Sequence, residues 1–98
     1  MQQTLFDTDR LAEAFEKFDA ENPQVWNAFK AVTLRVISSG FEHYGAKAVW
    51  EYIRFNFAMK TRGEFNLNNN YTALYARKFE AEFPQHKGFF ELRKRKTY

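Results

Sequence analysis

Residues 60–79 read KTRGEFNLNNNYTALYARKF, from Lys60 to Phe79. Within this stretch one pattern stops and another starts. Gly63 marks a turn. Phe65 and Leu67 then alternate with Glu64, Asn66 and Asn68, which predicts a short extended or hairpin-like element near 60–68 with two inward side chains. From Tyr71 the apolar residues return at helical spacing, through Leu74, Tyr75 and Phe79, with Phe83 beyond. Lys78 sits at the margin of that face. The asparagines before it suit a helix start, because a side-chain oxygen there accepts from an exposed backbone N–H. Asn69 or Asn70 is the expected cap of a helix over 70–82, and Pro84 the expected stop.

Working outward, the same signals recur on both sides. Leu11, Phe15 and Phe18 predict a helix over about 8–20, with Asp7 and Asp9 at its positive end. Asn22-Pro23 predicts the next helix, Asn22 as cap and Pro23 in the first position, where a missing N–H costs nothing. Val25, Phe29, Val32 and Val36 form its inner stripe, and Gly40 supplies the left-handed stop. Val49, Trp50, Ile53 and Phe57 are the expected buried stripe of a third helix over 46–59. The end of the chain, GFFELRKRKTY, fits a short helix or a strand anchored by Phe89, Phe90 and Leu92. The expected fold is mainly α: one domain over 1–98, a compact bundle of four to five helices, with a basic tail over about 93–98.

Composition narrows the function. The chain has 98 residues, of which 12 are Phe, 5 Tyr and 2 Trp, so rings should dominate the core. There is no cysteine, which excludes disulfides, thiolate metal sites and a cysteine nucleophile. No apolar run is long enough to span a bilayer and the first residues do not read as a secretory signal, so a soluble cytoplasmic protein is expected. Residues 1–21 carry two basic and six acidic side chains, net −4; residues 22–98 carry thirteen and six, net +7. That asymmetry would draw a polyanion to the basic part.

Catalysis has little footing. His43 and His86 lie far apart in sequence with no zinc-binding spacing, Ser38 and Ser39 lack a nucleophile elbow, and no glycine-rich phosphate loop is present. The expectation is a binding protein with no catalytic residue, metal or cofactor. Two surfaces qualify. The helices on either side of Gly63 form a helix-turn-helix-like pair, in which Asn70, Ala73 and Arg77 share one outward face. Asn pairs with adenine, Arg with guanine, and a small residue between them admits close approach. Lys60, Arg62, Asn69 and the tail Arg93, Lys94, Arg95 and Lys96 complete that surface as polar and phosphate contacts. The second candidate is aromatic: Tyr44, Tyr52, Phe55 and Tyr75 cannot all be placed on one buried stripe with the residues above, and surplus rings beside Arg54 and Arg77 have the composition of a protein-binding hot spot.

The order FEKFDAENPQVW, AVWEYIRFNF, FNLNNNYTALYARKF and FPQHKGFFELRKR resembles a group of small uncharacterised proteins encoded by bacteriophages and prophages. The likeness runs from about Phe15 to Arg95. It rests on Asn22-Pro23, Ile53-Arg54, Leu67, Asn69 to Tyr71, Tyr75 to Arg77, Pro84 and Phe89-Phe90. It implies a bacterial host cell as the setting. It also implies either regulation through DNA or inhibition of a host or defence protein, such as a nucleic-acid enzyme complex. A homodimer, with the acidic first helix docked on a basic surface of a second copy, is a third expectation.

Overall fold

The structure, a computed structural model, describes residues 2–63 and 67–90, with side chains from residue 10 onward. Four α-helices carry it: α1 (Gln2–Glu21), α2 (Pro23–Ser38), α3 (Ala46–Thr61) and α4 (Thr72–Glu82). Short 3₁₀ turns at Asn69–Tyr71 and Pro84–His86 bracket α4. Among the described residues there is no strand, only an isolated parallel bridge between Tyr44 and Phe90. The hairpin-like element expected near 60–68 falls partly on 64–66, outside the described residues; Lys60 and Thr61 still belong to α3, and Leu67 is buried.

Helix α1 begins at Gln2, six residues before its expected start. Residues 2–7 contain neither Gly nor Pro, and Asp7 and Asp9 therefore lie inside the helix rather than at its mouth. Pro23 opens α2 as expected, but Asn22 does not cap it. Its side-chain amide donates back to Phe18 O at 3.0 Å, beside its own backbone N–H at 2.9 Å, so it closes α1 instead. The expected cap of the fourth helix also moves. Neither Asn69 nor Asn70 caps α4: a 3₁₀ turn precedes that helix, and Asn68 caps the turn, its Oδ1 accepting from Asn70 N at 2.9 Å.

The inner stripes meet in one aromatic core. Val25, Trp26 and Phe29 of α2, Val49, Trp50 and Ile53 of α3, and Tyr71, Tyr75, Ala76 and Phe79 around α4 are all buried. Phe89 and Phe90 close the base, Phe90 lying 5.6 Å from the Phe29 ring and 5.7 Å from Phe79. Of the four rings that could not all share one stripe, Tyr75 is fully buried, on the apolar face expected of its helix. Rings from the first three helices surround it: Phe15 at 4.8 Å, Trp26 at 6.2 Å, Phe29 at 5.7 Å and Trp50 at 5.3 Å. Each such ring pair adds roughly 0.5–1.5 kcal/mol beyond area burial.

The end of α3 is strained. Arg62 adopts the left-handed conformation, φ 56 and ψ 40, and Gly63 N then donates to Ala58 O at 2.9 Å. This is the position that glycine usually takes at a helix end, because a Cβ there crowds the following carbonyl. Replacing Arg62→Gly should raise the stability of the fold by about 0.5–1 kcal/mol, the relief of strain exceeding the added freedom of the unfolded chain. Urea unfolding of the two proteins measures it, and a loss of stability would contradict the strain.

Candidate functional site

The face of α4 that points away from the core carries Ala73 and Arg77, with Ala81 continuing the line, and Asn70 stands in the 3₁₀ turn just before the helix; all four are exposed. No carboxylate among the described residues pairs with Arg77. Glu80, one turn further along, accepts instead from Gly88 N at 3.1 Å. The amide and the guanidinium are thus both solvent-exposed, one in the 3₁₀ turn and one in the helix that follows it. Asn69 and Thr72 lie on a different flank, where with Lys47, Trp50 and Glu51 they line a small cleft of about 200 Å³.

That cleft fixes the relation of α3 to α4. The start of α4 lies beside the first turns of α3, not beside its end. Lys60 and Arg62 are exposed, but at 1.5 Å per residue Lys60 sits about 20 Å along α3 from Lys47. They are therefore not gathered around Asn69, and the tight turn of a helix-turn-helix does not join the two helices. The tail cations Arg93, Lys94, Arg95 and Lys96 lie outside the described residues.

Two cations of the basic part are occupied within the molecule. Arg54 Nε and Nη2 both donate to Glu51 Oε1, at 3.3 and 3.0 Å. Lys78 Nζ donates to Asp19 Oδ2 and stands 4.6 Å from the centre of the Trp26 ring, which Lys30 also approaches at 5.4 Å. The second oxygen of Asp19 accepts from the Tyr75 hydroxyl at 3.4 Å. Part of the charge asymmetry is thus consumed in tying α1 to α4.

The second surface is on α3. Tyr52 is 53% exposed, Phe55 63% and Met59 63%. With the exposed Ala48 they recur at spacings of four, three and four, so they form one stripe along the outside of the helix. Phe41, 53% exposed, lies beyond the end of α2, its ring 5.3 Å from half-buried Tyr44. Sequence reasoning found Tyr52 and Phe55 but missed Met59 and Phe41. The signal was available: α3 carries a second apolar stripe besides Val49, Trp50, Ile53 and Phe57. Where α3 packs on α2, two adjoining cavities of about 250 and 220 Å³ flank Tyr52.

His43 and His86, distant in sequence, line one shallow cleft. No group of three or more His, Asp or Glu side chains among the described residues could hold a metal ion. No helix among them is long and apolar enough to cross a membrane. No protein-family model, no curated protein and no solved structure matches the chain.

Burial pushes the Tyr75 hydroxyl well above the usual phenol range, and the Asp19 carboxylate raises it further. The folded protein therefore holds this proton more tightly than the unfolded chain does. The stability it contributes is complete below the unfolded value near 10 and falls as pH rises beyond it. Tyr75→Phe should lose stability at pH 8, where the hydroxyl still donates to Asp19. It should also show a shallower decline between about pH 10 and 11 than the parent protein. Equal slopes for the two proteins in alkaline urea titrations would contradict the assignment.

Proposed function

We propose that the chain is a small binding protein without catalytic activity, an inhibitor or adaptor that holds another protein on the outer side of α3. The observation that carries this reading is the exposure of Tyr52, Phe55 and Met59 in one line on a rigid helix. Monomeric proteins seldom leave more than a few hundred Å² of contiguous apolar surface in water, and such patches commonly mark interaction sites. Tyr is also over-represented among residues that dominate binding energy. A phage or prophage setting, with a host or defence protein as the target, fits this reading and rests on the sequence resemblance. A tagged chain should recover a stoichiometric protein from nuclease-treated bacterial lysate, and Phe55→Glu with Met59→Glu should abolish the recovery. Recovery of the same proteins by both chains removes the reading.

A second reading is supported by the exposure of Asn70, Ala73 and Arg77, with Arg77 unpaired by any described carboxylate. Here the chain is a DNA-binding regulator, α3 and α4 form a helix-turn-helix-like pair with a long connection, and α4 enters the groove. Asn70 and Arg77 contact base edges, while Lys60, Arg62 and the Arg93 to Lys96 tail contact phosphates further out. Affinity for duplex DNA should fall as salt rises from about 50 to 200 mM. Arg77→Ala should weaken binding roughly 5- to 100-fold, the effect of one good base contact. Absence of binding at about 50 mM salt removes this reading.

A further inference from the structure

The exposed stripe of α3 continues into the groove between α2 and α3. The two cavities there share Val32 and Tyr52, so the Tyr52 side chain stands between them. One is floored by Val36 and Val49, the other by Ile53 and Phe57. Arg35 lines the first and Lys60 the second, and among the described residues no carboxylate lines either. Helix α2 contains no acidic residue at all. The single acidic residue of α3, Glu51, accepts from Arg54. From Ala48 to Lys60 the groove side of α3 extends about 18 Å, slightly more than three helical turns.

An apolar trough of that length, with a cation lining each half, matches an amphipathic helix that presents apolar anchors one turn apart and carboxylates beside them. We infer that the α2–α3 groove binds an acidic amphipathic helix of a partner protein, its anchors seated on either side of Tyr52 and its carboxylates facing Arg35 and Lys60. This inference rests on the protein-binding reading above and gives its partner a chemistry. A second copy is a poorer occupant. Two α3 stripes laid together would bring Arg35 and Lys60 of one copy to a helix that itself carries Lys47, Arg54 and Lys60. The apolar side of α1, the chain's own acidic helix, is already committed, with Phe15 packed on Tyr71 and Tyr75.

The test uses the full chain and two side-chain-stapled helical peptides of about 16 residues. Both carry Leu at i, i+4, i+7 and i+11; one has Glu and the other Lys at the flanking positions. Fluorescence anisotropy should show the acidic peptide binding at least 10-fold tighter, with the preference shrinking as salt rises. Tyr52→Ala should weaken the acidic peptide at least 10-fold. Arg35→Glu with Lys60→Glu, both at the surface, should reverse the preference between the peptides. Equal binding of the two peptides overturns the inference and leaves the protein-binding reading standing. Binding of neither peptide, while the lysate partner is still lost on Phe55→Glu and Met59→Glu, overturns the inference alone. Binding of neither, with a sedimenting dimer that Tyr52→Ala abolishes, overturns it in favour of a second copy.

Discussion

The fold depends on where one tyrosine ring goes. Tyr75 lies among Phe15, Trp26, Phe29 and Trp50, and these rings come from three different helices. A ring so placed sets the mutual position of all four helices at once. Its hydroxyl could not be buried there without an acceptor, since an unpaired buried hydroxyl is costly. Asp19 near the end of α1 supplies that acceptor, and Asp19 needs a counter-charge of its own, which Lys78 provides. Lys78 lies three residues after Tyr75, on the adjoining side of α4, so one short segment delivers both the ring and the cation. Not every buried polar group is matched in this way: Thr33 Oγ1 and Trp50 Nε1 have no hydrogen-bond partner among the described residues.

This arrangement changes the meaning of the charge pattern. An acidic first helix followed by a basic remainder invites the idea of a cationic surface waiting for a polyanion. The geometry spends part of that charge internally. Asp19 pairs with Lys78, and Lys78 together with Lys30 lies against the Trp26 ring, a placement that favours cations because the ring face is electron-rich. The outward side of α4 is then left with one described cation, Arg77, with the Glu80 carboxylate one turn beyond it. Lys60 and Arg62 lie at the far end of α3. The described surface holds its cations dispersed, which fits guanidinium or ammonium groups ringing an apolar contact better than a continuous phosphate track.

Much of the architecture was legible because it rests on local rules. Pro23 marks the start of α2, Gly40 with φ 103 marks its end, and Val25 and Phe29, Val49, Trp50 and Ile53, and Tyr71, Tyr75 and Phe79 of the expected stripes are all buried in the core. What was misread depends on distance in sequence. Asn22 has the composition of a cap, yet whether its amide serves the helix before or after it is decided by how tightly α1 turns into α2. Asn68 rather than Asn70 caps the 3₁₀ turn because that turn precedes α4, a detail that spacing alone does not resolve. Tyr75 falls on the apolar face expected of α4, and burial of Ala76 beside it shows that the covered face is wider than the spacing of the large side chains implies. The outward position of Arg77 followed from the same periodicity that placed Phe79 inward. Lys60 and Arg62 lie at the end of α3 away from the start of α4, a placement that leaves no local mark in the sequence.

The second stripe of α3 bears on function through a simple constraint. Helix α3 carries apolar residues on two sides, and only one of them faces the core. Val49, Trp50 and Ile53 take that side, next to Phe29 and Tyr75. Ala48, Tyr52, Phe55 and Met59 are then left outside by geometry, not by weak packing, since the core beneath them is closed. Folding stability gains little from large apolar side chains in such a place, and they cost solubility. Polar residues would serve the isolated fold equally well there. Their presence at helical spacing, above a groove that Arg35 and Lys60 also line, is therefore better accounted for by something that covers them than by the needs of this chain alone.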